Sequence, residues 1–193
     1  MRKFLVMIIQ FSPFMLLAGV IYGAARLLYL HISEKKGAGA GAELLRLCFI
    51  CYIFALAALV WVPEGFWDRV WAFMESGELP QTDFGFFSGD YSGRNLILRC
   101  LKGDFKGAWR EKYSIAANVL LFVPLGFLVP LVFKRIKPIW AVFICLGVTC
   151  VIEAVQPVVG RTGDLDDIIA NFLGGILGAV TAKIILLLGK KQR

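Results

Sequence analysis

Charge is scarce in this chain. Asp, Glu, Lys and Arg together make up 18% of its 193 residues, against 59% hydrophobic, and there is one histidine. So little charge excludes a soluble domain of this length and makes the chain an integral membrane protein. The lone His31 sits at the end of an apolar run beside Tyr29, where interfacial residues are common, so histidine-based catalysis has little to stand on. Of five cysteines, Cys48, Cys51, Cys145 and Cys150 lie in apolar runs and only Cys100 in a loop. That distribution excludes a disulfide framework or zinc site, which needs paired thiols in an accessible region, and leaves packing as their role. Segments of alternating polarity are also missing, which excludes a membrane β-barrel, and there is no internal repeat or separate soluble domain.

What is present is apolar length. A hydrocarbon core of ~30 Å takes about 20 helical residues, and five segments suffice: roughly 4–30, 44–62, 114–133, 138–159 and 168–188. The expected fold is all-α: one polytopic helical bundle over residues 1–193. Arg2 and Lys3 ahead of an apolar run resemble a secretion signal, but the run is too long for one and reads as a retained span.

Cytoplasmic connections are enriched in Lys and Arg. With the C-terminus inside, eleven of the 21 basic residues, among them Lys134, Arg135, Lys137, Lys183 and Lys190, fall on the cytoplasmic side against only Glu34 and Glu43. The N-terminus is then outside, although Arg2 and Lys3 go against the rule. The net charge of +7 reflects topology and not nucleic-acid binding.

Residues 33–43 form a short Gly- and Ala-rich link, and residues 63–113 the one sizeable outer loop. That loop opens on PEGFWDRVWAFMESG, with Pro63 suited to a helix start and Phe66, Trp67, Val70, Trp71 and Met74 at helical spacing. Amphipathic aromatic helices of this kind lie along the membrane surface as anchors.

Polar groups inside three spans carry the functional signal. At ~1.5 Å rise per residue, Asn118 lies about 6 Å into the third span, Glu153 about 9 Å from the outer end of the fourth and Asn171 about 7 to 8 Å into the fifth. Gln156 is one turn above Glu153 on the same face. Arg161, Asp164, Asp166 and Asp167, in the short turn joining the last two spans, form a lid over the cluster. An intramembrane carboxylate such as Glu153 is costly and usually faces a partner or a water-filled cavity. Simpler roles stand beside these. Asp164 or Asp166 could cap the last helix, Asn118 and Asn171 could tie helix to helix, and Arg161 could neutralise the aspartates. The last helix also carries Ala170, Gly174, Gly178 and Ala182 every fourth residue, a flat face that lets another helix approach closely.

Three stretches in order, NVLLFVPLGFLVP at 118–130, EAVQ at 153–156 and GRTGDLDDIIANFLGGILG at 160–178, resemble the VanZ-like membrane proteins over residues 114–188. A further family feature, Asn-Leu-x-Pro-Phe, is met in the outer loop only by Asn95, Leu96, Ile97 and Leu98, without the proline. The resemblance implies low-level resistance to teicoplanin and related glycopeptides and action at the outer face of the cell membrane. It implies membrane lipids, lipid-linked envelope precursors or glycopeptide-type antibiotics as partners.

The favoured reading is a non-enzymatic module that binds or moves an envelope lipid or amphiphilic antibiotic at the cluster. Its carboxylates outnumber Arg161 and would repel bare phosphate, so phosphate binding requires a bridging divalent cation or carboxylates protonated by burial. The alternatives are a metal-dependent enzyme acting on a lipid phosphate, with Asp164, Asp166 and Asp167 as ligands and Glu153 as base, and a structural or assembly partner whose cluster only fixes helix packing.

Overall fold

The computed structural model describes residues 2–33, 39–61, 66–77, 108–159 and 164–191, and its elements are all helices. They are α1 (Arg2–Ser33), α2 (Ala40–Trp61), α3 (Phe66–Ser76), α4 (Ala108–Val132), α5 (Pro138–Val155) and α6 (Leu165–Lys191), with a 3₁₀ turn, Gln156–Val159, closing α5. All but the short α3 contain a stretch long and apolar enough to cross a membrane. The protein is therefore a multi-pass helical bundle.

Local chemistry sets the helix ends. Lys137 is held extended (φ −70°, ψ 150°), as the residue before a proline prefers, and Pro138 opens α5, where its missing N–H costs nothing. The fourth span was expected to run to residue 159, but its α-helix stops at Val155. Pro157 is the reason: it has no N–H for the Glu153 carbonyl and its ring crowds that carbonyl, so the last turn tightens to 3₁₀. α6 begins three residues earlier than hydropathy suggests, because Asp164 supplies a cap. α3 opens at Phe66; the expected start at Pro63 lies outside the described residues. Gly77 ends α3 in the left-handed region (φ +72°) and donates its N–H to the Phe73 carbonyl at 2.8 Å, a turn that suits glycine.

α4 and α6 form the central pair and run in the same direction. Gly174 lies against the Val119 carbonyl and, one turn on, Gly178 against the Val123 carbonyl, so added side chains there would overlap backbone. α5 runs antiparallel to both and packs against them, with Cys145 against Gly175 and Thr149 against Asn171. Phe122, Leu125 and Val129 of α4, Ala141, Cys145 and Ile152 of α5 and Ala179 of α6 make the core, joined by Leu56 of α2. Tyr52 of α2 donates its hydroxyl to the Leu121 carbonyl at 2.8 Å. That carbonyl neighbours the one on Leu120, which Pro124 leaves without its helical donor.

α1 packs on α2 at the edge of the bundle. Its other face, including Leu16, Leu27 and Ile32, is exposed as expected of a lipid-facing helix. A polar knot joins the pair: Glu43 accepts from Arg26 at 2.8 Å and from Arg46 at 2.9 Å.

Candidate polar site of α5 and α6

Two polar contacts link α5 to α6 near the start of α6. The deeper joins Asn171, 4% exposed, to Thr149, fully buried: Asn171 Nδ2 donates to Thr149 Oγ1 at 2.9 Å. Asn171 Oδ1 is buried and has no hydrogen-bond partner among the described residues. Turning the amide over would exchange an orphan carbonyl for an orphan NH2, so in either orientation one polar atom of Asn171 is unmatched. Buried polar atoms without partners are rare, each costing about 1–3 kcal/mol.

The shallower contact centres on Glu153, 7% exposed in the last turn of α5. Its Oε2 accepts the backbone N–H of Asp164 at 2.8 Å. Asp164 Oδ1 in turn accepts the N–H of Asp166 at 3.1 Å, and the Asp164 carbonyl takes the N–H of Ile168. Asp164 is thus the N-cap of α6, and Glu153 fixes the cap to α5. Both carboxylates serve the helix start, where negative charge also complements the helix dipole.

The remaining sequence candidates are placed unevenly. Asn118 is half-buried on α4, one residue before the Val119 carbonyl that meets Gly174, and its side chain makes no hydrogen bond to a described residue. Gln156 is half-buried in the 3₁₀ turn, and Asp166 and Asp167 are half-buried in the first turn of α6. Arg161 lies outside the described residues. Ala170, Gly174, Gly178 and Ala182 are all buried, the glycines against α4. Among the described residues no group of three His, Cys, Asp or Glu is placed to hold a metal ion. Thr149 was not singled out from sequence, although the signal was there: a hydroxyl one turn below Glu153 on the same face of an apolar span.

A family model described as VanZ/LLP1 matches residues 49–186. The chain belongs to the VanZ/LLP1 family. No curated protein and no solved structure matches it. The VanZ/LLP1 match takes in most of α2, all of α3, α4 and α5, and α6 as far as Leu186, so every polar group of the α5–α6 site falls within it. α1 lies before it.

Proposed function

We propose that this VanZ/LLP1 protein binds the head group of an envelope lipid or amphiphilic antibiotic between α4, α5 and α6, and through that binding contributes to glycopeptide resistance at the outer face of the membrane. One observation carries the reading: Asn171, almost wholly buried and tied to Thr149, keeps a polar atom with no partner among the described residues. A head group bearing amide, amino or hydroxyl hydrogens would supply the missing contact. The carboxylates of Glu153, Asp164, Asp166 and Asp167 around the α6 start favour such a donor over bare phosphate. The half-buried Asn118, at a similar level on α4, is a third contact.

A second reading, that the cluster only fixes helix packing, is favoured by Glu153 holding the Asp164 cap. The double variant Thr149→Val/Asn171→Leu separates the two, because it replaces both partners of the deep contact by apolar groups of similar size. Such a replacement is close to neutral for stability. The variant is expected to unfold at the wild-type temperature in detergent while losing both the lipid seen by native mass spectrometry and the protection against teicoplanin. Unchanged lipid retention and unchanged protection in a well-folded variant would leave the packing reading standing.

A further inference from the structure

A second, chemically opposite site lies at the other end of the bundle. The turn between α4 and α5 and the last turns of α6 enclose an open groove of about 680 Å³. Lys134, Lys137, Lys183 and Lys190 line it, and among the described residues no carboxylate does. All four lysines are exposed, and none makes an ion pair with a described residue. Between them the wall is apolar, with Leu131 on α4 and Leu186 on α6. The groove exists because α6 outruns its neighbour: at the register set by Val119 and Gly174, α4 ends near the level of Leu187, and α6 continues to Lys191.

Depth identifies the occupant. Lys183 lies eighteen residues beyond Leu165, about 27 Å along the helix, which reaches the opposite boundary of a hydrocarbon core of ~30 Å. The lysines flank the apolar wall, with Leu131 and Leu186 at a level between Lys183 and Lys190, and cations beside apolar surface at the membrane boundary match an anionic phospholipid in both halves. Basic pockets between spanning helices bind anionic head groups in this way. A soluble phosphate would use the lysines and leave the apolar wall empty. We infer that the groove formed by Lys134, Lys137, Lys183 and Lys190 is a binding site for an anionic phospholipid in the leaflet opposite the Glu153 cluster.

The test uses the full chain in detergent with defined lipids. Native mass spectrometry of protein incubated with equal amounts of phosphatidylglycerol and phosphatidylcholine is expected to show a clear excess of phosphatidylglycerol adducts, which millimolar inorganic phosphate does not displace. Lys183→Gln is expected to lower that excess about fivefold, the effect of one basic residue at the membrane surface. Arg135→Gln removes one charge from the same turn but not from the groove, and is expected to leave the excess unchanged. Equal retention of the two lipids by the wild type would overturn the inference without any variant. Equal effects of the two substitutions would also overturn it, by showing a general attraction of the basic end. Displacement by inorganic phosphate would assign the lysines to a soluble anion and overturn it as well.

Discussion

The polar residues differ in what holds them. Glu153 accepts a buried backbone N–H, so Glu153→Ala leaves the start of α6 without its tether, and the unsatisfied N–H costs about 1–3 kcal/mol. Glu153→Gln keeps a carbonyl oxygen at the same place and is expected to lose well under half of that. Thermal unfolding of both variants in one detergent checks the order, and equal losses would show that charge and not the hydrogen bond matters. Thr149→Val breaks a helix-to-helix contact of a kind that averages about 0.6 kcal/mol in membrane proteins. It also strips the buried Asn171 amide of its donor contact, which adds about 1–3 kcal/mol, so it is expected to destabilise as much as Glu153→Ala and more than the double variant Thr149→Val/Asn171→Leu. At this scale the sequence was half legible. Helical rise placed Glu153 and Asn171 near one another in depth, because rise is a property of the backbone alone. It could not show that Asn171 pairs with Thr149, since that depends on how α5 is rotated against α6.

Helices are distinguished here by how closely their backbones approach. Gly174 and Gly178 each face a carbonyl of α4, and Gly126 of α4 faces the Gly175 carbonyl. Backbone cannot move aside as a side chain can, so Gly174→Ala and Gly178→Ala are expected to cost about 3 kcal/mol or more, at or above the upper end for overpacked cores. Gly189, also on α6, has nothing within 4 Å of an added Cβ, and Gly189→Ala is expected to be neutral or to gain about 0.5–1 kcal/mol in helix stability. Chemical unfolding of the three variants decides, and a tolerant Gly178 would mean that α4 and α6 can separate. Small residues at four-residue spacing announced a close-packing face in the sequence. They did not single out α4 as the partner, because α5 carries small residues at the same spacing in Ala141, Cys145 and Thr149; Gly175, outside the stripe, meets Cys145.

At the scale of the molecule, hydropathy alone located the five spans, because burying an apolar run in lipid does not depend on which helix lies beside it. Helix ends were less legible where one residue decides, as Pro157 and Asp164 do. The excess of Lys and Arg at the end holding the α4–α5 turn and the α6 tail predicts that this end is cytoplasmic. Cysteine labelling from outside intact cells, with single cysteines at Lys134 and at Gly77 in an otherwise cysteine-free chain, is expected to modify only the latter. The reverse pattern would invert the bundle and place the Glu153 cluster inside.

The shared direction of α4 and α6 also governs how the protein is made. Two parallel helices cannot be inserted as a hairpin; a full crossing, α5, must be threaded between them during translation. Until the ribosome has released α6, α4 lacks the one neighbour that carries both the glycine face and Asn171. Nascent chains halted before residue 165 therefore hold α4 against α2 and α5 only, with the α6-facing backbone of α4 still uncovered, and are natural clients for an insertase or a membrane protease.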